Sequence, residues 1–208
     1  MMKISLSDVG KRYNREWIFR HLNYDFTLPH HYAITGSNGA GKSTLMQILA
    51  GVIHHSEGKI SHQVNSHILS PEKVFQVVSF TAPYIEVPDE FTFAELLSFH
   101  FRFKPALNKL STKNIIEYSG LKKSAHKQIR QYSSGMKQRV RLCLSFFADT
   151  PLLFLDEPCT NLDASGISWY KEMITKNAAG RLLIISSNDP REYDTCDRII
   201  SMEDFKKF

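Results

Sequence analysis

Residues Gly36 to Thr44 read GSNGAGKST. Gly36, Gly41, Lys42 and Ser43 stand at the fixed positions of the spacing G-x-x-x-x-G-K-[ST]. Glycines in such a loop let backbone N–H groups of Ser37, Asn38, Gly39 and Ala40 turn inward, where a Cβ would crowd a bound group. The pattern therefore suits the α- and β-phosphates of a nucleotide, with Lys42 reaching the β- and γ-phosphates and the Ser43 hydroxyl available to Mg²⁺. A helix expected over Ser43–Leu49 adds the positive end of its dipole, next to Thr44. The flanks agree with this reading. His31 to Thr35 is a short β-prone run, and Leu45, Ile48, Leu49 and Val52 recur at helical spacing. Strand, glycine loop and helix in that order is the setting such a loop requires.

The bulk properties bound the rest. A chain of 208 residues, 42% of them hydrophobic, can form one large domain or a core with a small subdomain. It has no run of about 18 apolar residues, and Met1-Met2-Lys3-Ile4-Ser5-Leu6-Ser7-Asp8 lacks the apolar segment of a secretory leader. Cys143, Cys159 and Cys196 are scattered and form no CxxC pair, which fits free thiols in a reducing cytosol. The net charge of +5 is dispersed apart from Lys122, Lys123, His126, Lys127 and Arg130. It reads as a solvated surface with residues facing a nucleotide, and nucleic acid is not expected as a partner. His30-His31 and His54-His55 are adjacent pairs with no metal-ligand spacing.

Outward from the loop, the chain up to Ala82 reads β-rich. Ile4 and Leu6 alternate with polar residues, Glu57-Gly58 suggests a turn before Lys59-Ile60, and Val74 to Phe80 suggests a strand. The texture changes after Pro83. Thr92 and Glu95 have capping-box spacing, and a second helix over Ser111–Ser119 ends at Gly120. Residues from Pro83 to about Arg130 thus look like a helical insertion. From Ser134 another helix is expected, with Met136, Val140, Cys143, Leu144 and Phe147 on one face. Leu152 to Leu155 and Leu182 to Ile185 are compact apolar runs of the buried parallel-strand kind, and Ile199-Ile200 suggests a last strand. The expected fold is α/β with a mostly parallel sheet.

Two further clusters carry chemistry. The run Leu152–Leu155 leads into Asp156 and Glu157, at the strand end where α/β sheets bind ligands. Asp156 suits Mg²⁺, and Glu157 suits polarising an attacking water. Farther upstream, Tyr132-Ser133-Ser134-Gly135 opens a helix, where Ser133 and Gly135 offer a hydroxyl and backbone donors to a second anion. Two phosphate sites so distant in sequence can meet through dimerisation.

Taken in order, GSNGAGKST, YSSGMKQRV, LLFLDEP and TNLD resemble the phosphate loop, signature, Walker B strand and D-loop of the ATP-binding subunits of ABC transporters. The resemblance spans most of the chain, and a signature directly ahead of the Walker B strand is specific to that family. It implies a P-loop NTPase core of about 1–82 and 130–208, with an N-terminal antiparallel β region and a helical subdomain of about 83–129, all in one ABC ATPase domain over 1–208. It implies ATP and Mg²⁺ as cofactors, and a head-to-tail dimer in which Ser133 and Gly135 touch ATP held by the partner chain while Asp163 lies at the seam. It implies an integral membrane permease as second partner, so that the chain sits on the cytoplasmic face of the cell membrane. Tyr13 stands where the family places an aromatic ring against adenine, with Trp17 as a rival.

Two positions depart from the family. Near Pro83 the family has a glutamine that contacts Mg²⁺ and the attacking water. Proline offers neither donor nor acceptor on its side chain, and Gln76 lies too early. Asn188 stands where the family has histidine; it can donate a hydrogen bond to a γ-phosphate oxygen but carries no charge. Lys42, Ser43, Asp156 and Glu157 are intact. The expectation is therefore Mg-ATP binding with hydrolysis at a reduced rate. A regulatory subunit without turnover and an ABC ATPase unconnected with transport remain as alternatives.

Overall fold

The structure, a computed structural model, describes residues 2–206. Two long strands open the chain, β1 (Met2–Tyr13) and β2 (Glu16–Thr27), followed by β3 (Tyr32–Thr35), α1 (Lys42–Leu49), β4 (Glu57–Val64) and β5 (His67–Ile68). A single helical turn, α2 (Val74–Val77), leads into β6 (Val78–Thr81). Then come α3 (Phe93–His100), α4 (Thr112–Ser119), α5 (Ser134–Phe146), β7 (Leu152–Asp156), α6 (Ala164–Asn177), β8 (Leu182–Ser186) and β9 (Arg198–Ser201). The antiparallel sheet has the order β2-β1-β4-β5, and the parallel sheet has the order β6-β7-β8-β3-β9. The α/β expectation holds, antiparallel N-terminal region included.

The apolar runs explain the layering. Side chains alternate across a strand. Leu152 and Phe154 of β7 enter one core with Leu45, Met46 and Leu49 of α1 and with Ile4, Phe19 and Phe26 of the antiparallel sheet. Leu153 and Leu155 enter a second core with Val140 and Phe146 of α5, Tyr170 of α6, Phe93 and Leu97 of α3, and Ile115 of α4. With both faces covered, the strand must be apolar at every position, hence the unbroken run.

The inserted helices have local causes. Thr92 Oγ1 accepts from the Glu95 N–H while Glu95 Oε2 accepts from the Thr92 N–H, a complete capping box. Ser111 and Asn114 repeat the arrangement at α4, and Gly120, at φ 72°, ends it.

Two local expectations need correction. Val74 to Phe80 is not all strand. Pro71 starts a helical turn, Val74 is buried against Gly51, and pairing begins only with Val78 opposite Leu152. Packing of Val74 overrides the β preference of the valines. Nor is Glu57-Gly58 a turn, since both residues lie in β4. Gly58 has φ +86°, and a Cβ there would come within 2.3 Å of the Asp8 carbonyl oxygen. Its role is a close approach where the β1–β4 register shifts. Helix α6 was not singled out from the sequence; Asp163 starts it as an N-cap.

Candidate active site

In a parallel sheet all strands end on the same edge. Here β3, β6, β7 and β8 deliver, in turn, the Gly36–Thr44 loop, Pro83-Tyr84, Asp156-Glu157 and Ser187-Asn188 to that edge. The loop is held from three sides. Lys42, 5% exposed, donates from Nζ to the carbonyls of Gly36 and Ser37 at 2.8 and 3.3 Å. Asn188 Oδ1 accepts from the Gly36 N–H at 3.3 Å, and Asn188 Nδ2 donates to Asn38 Oδ1. The third support was not foreseen. Glu203, in the helical turn after β9, accepts from both the Ser37 N–H and the Ser37 hydroxyl at 3.0 and 2.6 Å, and these bonds lower its pKa. Nothing in the sequence near Glu203 marks it; the parallel β3–β9 pairing brings it there. Gly41 is obligatory: at φ +96° its Cβ would lie 2.6 Å from Ile18 of the β1–β2 hairpin. Ser43 and Thr44 lie in the first turn of α1, partly exposed.

Asp156 and Glu157 differ sharply in setting. Asp156 is 1% exposed, and its Oδ1 has no hydrogen-bond partner. Its Oδ2 accepts from the Tyr84 hydroxyl at 3.3 Å. Burial, with Asp156 nearby, pushes the Tyr84 hydroxyl up to about 12, so it remains a donor. Glu157 is exposed, with φ 43°, and its N–H donates to the Ser186 carbonyl at 2.8 Å. A side-chain-bearing residue in the left-handed region is strained, and here the strain falls on the residue that follows the buried strand end. Asn38, Glu157, Cys159, Asn188 and Glu192 surround a hollow of ≈ 290 Å³. Glu192 is a second unforeseen member: buried, raised in pKa by burial, it accepts from the Cys159 N–H at 2.7 Å and so fixes the loop after Glu157.

A buried carboxylate oxygen without a partner is costly. The oxygen donors Asp156 and Ser43 beside a phosphate loop fit Mg²⁺, which keeps few protein ligands and shares phosphate oxygens. Among the described residues no cluster of three or more His, Cys, Asp or Glu could hold a metal by itself. Cys143 and Cys159 are buried with thiols pushed up by burial, Cys196 likewise to about 12, and none is paired.

Ser133 and Gly135 lie elsewhere. They line a separate open hollow of ≈ 810 Å³ with Lys122, Arg139, Asn161 and Asp163. Ser133 caps α5, its Oγ accepting from the Met136 N–H. A Cβ on Gly135 would fall 2.7 Å from the Asn161 carbonyl oxygen. Asp163 is exposed and caps α6, accepting from the Gly166 N–H at 2.7 Å. Tyr13, 49% exposed near the hairpin tip, has Lys11 Nζ 4.8 Å from its ring. Trp17 is covered by Arg20 at 4.2 Å and Arg12 at 5.5 Å.

Comparison with known proteins accounts for this combination. The ABC transporter family model matches residues 19–160, more than half of the chain. The Nod factor export ATP-binding protein I of Rhizobium johnstonii is 27% identical over 98% of this chain and 67% of its own length. An uncharacterized ABC transporter ATP-binding protein of Nostoc sp. is 33% identical over 81% of this chain and 52% of its own. A dimeric ATP-binding cassette in a post-hydrolysis state, bound to ADP and Pi, superposes with a TM-score of 0.78 at 18% identity, covering 95% of this chain and 93% of that one. The chain belongs to the ABC transporter family, in the class of its ATP-binding subunits, the ABC ATPases. It spans about half to two thirds of the length of the two curated relatives.

Proposed function

We propose that this chain binds Mg-ATP and hydrolyses it to ADP and phosphate as one of a head-to-tail pair of subunits that power a separate membrane permease. One observation carries the reading. A single chain holds a phosphate loop with Asp156, Glu157 and Asn188 around it, and presents Ser133 and Gly135 on a different hollow. Each chain thus supplies complementary halves of two ATP sites, and pairing completes both. The solved dimer with ADP and Pi supports the same pairing by analogy of fold.

In this reading 1–208 is one ABC ATPase domain, with its core over about 1–82 and 130–208 and a helical subdomain over about 83–129. Loop N–H groups and Lys42 bind the phosphates, and Tyr13 stacks on adenine. Ser43 and Asp156 would hold Mg²⁺, which would shield phosphate charge. Glu157 orients and polarises the attacking water, and Asn188 donates to a γ-phosphate oxygen. Because Asn188 neither carries charge nor moves a proton, turnover is slow. In the same reading the permease holds the chain at the cytoplasmic face of the membrane; among the described residues no helix is long and apolar enough to cross a membrane.

Steady-state ATPase rates of the purified chain and of Glu157→Gln test this. Loss of the water-polarising carboxylate is expected to lower kcat by about 100-fold or more with ATP binding retained. Equal rates would remove Glu157 from the mechanism.

A further inference from the structure

Ala82-Pro83-Tyr84-Ile85 forms a tight turn closed by the Ile85 N–H donating to the Ala82 carbonyl at 3.1 Å. Pro83, at its second position, has the fixed φ that such a turn favours. The side chain it lacks is supplied one residue later. The Tyr84 hydroxyl reaches Asp156 Oδ2 at 3.3 Å, and Gln47 of α1 neighbours the same hydroxyl. The opposite oxygen, Asp156 Oδ1, is buried and without a partner.

The turn is also tied back to the strand end by a different route. Arg141 of α5 donates from Nε to the Ile85 carbonyl at 2.5 Å and from Nη1 to Gln138 Oε1 at 3.1 Å. Gln138, fully buried, donates from Nε2 to the Pro158 carbonyl at 2.8 Å. The hydrogen bonds therefore close a ring: Asp156-Glu157-Pro158, Gln138, Arg141, Ile85-Tyr84, and Asp156 again. The helix in this ring is the one that Ser133 caps and whose first turn contains Gly135.

We propose that Tyr84 is the positioning residue for Asp156. Its hydroxyl occupies Oδ2 and leaves the unpartnered Oδ1 for the cation that accompanies ATP. Through Arg141 and Gln138 it couples the aim of that carboxylate to the orientation of α5. This rests on the Mg-ATP reading above. A donor to a charged oxygen orients that oxygen as well as stabilising it.

The test uses the full chain with a non-hydrolysable ATP analogue. Mn²⁺ binding is followed by electron paramagnetic resonance, and metal-free binding by a fluorescent ATP. In Tyr84→Phe, Mn²⁺ affinity of the nucleotide complex is expected to fall about tenfold, the loss of one hydrogen bond to a charged group. Metal-free nucleotide affinity should stay within about twofold, and kcat should fall with little change in KM. Tyr84→Gln, which restores a donor, should recover most of the loss. Arg141→Lys keeps the charge but cannot span both acceptors, and should weaken Mn²⁺ in the same direction. An unchanged Mn²⁺ affinity in Tyr84→Phe overturns the proposal, as does a parallel loss of both affinities. An unchanged Arg141→Lys overturns the coupling to α5. If the unaltered chain binds neither nucleotide nor Mn²⁺, the ATP reading itself falls.

Discussion

Glu203 puts a negative charge on the phosphate loop before any phosphate arrives. Its carboxylate satisfies Ser37 and steadies the loop, yet repels the ligand the loop is shaped for. Glu203→Gln keeps an acceptor for Ser37 and removes the charge. ATP affinity measured by calorimetry should rise about threefold, and the gain should shrink with added salt. His100 offers a second residue-scale prediction. Its Nε2 is buried without a partner, and burial, helped by nearby Lys104, lowers its pKa to about 4. The unfolded chain takes up that proton near the ordinary value of 6.5. Stability from neutral His100 is therefore complete above pH 6.5 and is lost as pH falls toward 4. His100→Gln should flatten the fall in denaturant-measured stability over that window. An unchanged slope would show that other groups govern it.

Among the elements, α6 shows why the sequence was partly opaque. Asp163 matched a family position, and that match hid its local job: its carboxylate caps the helix. Asp163→Ala should lower Tm by roughly 2–4 °C through loss of the cap. Legible elements were those whose signal is local or one-dimensional. The runs of β7 and β8, the capping box of α3, the glycine stop of α4 and the phosphate loop each announce themselves within about ten residues. Illegible ones depended on a distant partner. Val74 packs close to Gly51, and Gly58 lies in a strand against the Asp8 carbonyl, neighbours that the local sequence does not show. Glu192 and Glu203 reach the site only through β8 and β9, and Tyr84 was hidden behind a proline that looked like a lost side chain. The packing of Gly135 against Asn161 is also of this kind. Gly135→Ala must move the Asn161 carbonyl, and should lower kcat more than tenfold in the ATPase assay while Tm stays within a few degrees.

For the whole molecule, the half-sites of the proposed function predict an assembly controlled by ligand. Glu157→Gln with Mg-ATP should run as a dimer in size-exclusion chromatography with light scattering, and chelation with EDTA should return it to monomer. Lys42→Met, which loses the loop cation, should remain monomeric throughout. Bound nucleotide should also raise Tm with its concentration, because it stabilises only the folded form. The contact between Gly135 and Asn161 then acquires a temporal meaning. In the head-to-tail pair proposed above, Glu157 would work on the chain's own ATP, while Gly135 would grip the ATP of its neighbour. Three residues, Pro158, Cys159 and Thr160, separate Glu157 from Asn161, whose carbonyl lies close enough to Gly135 to leave no room for a Cβ there. On the proposed function neither nucleotide would be spent in private: a shift of Glu157 during hydrolysis on one side would pass along this short loop to the hold on the other. The pair would keep a shared clock, and turnover would follow a cooperative rather than a simple saturating law.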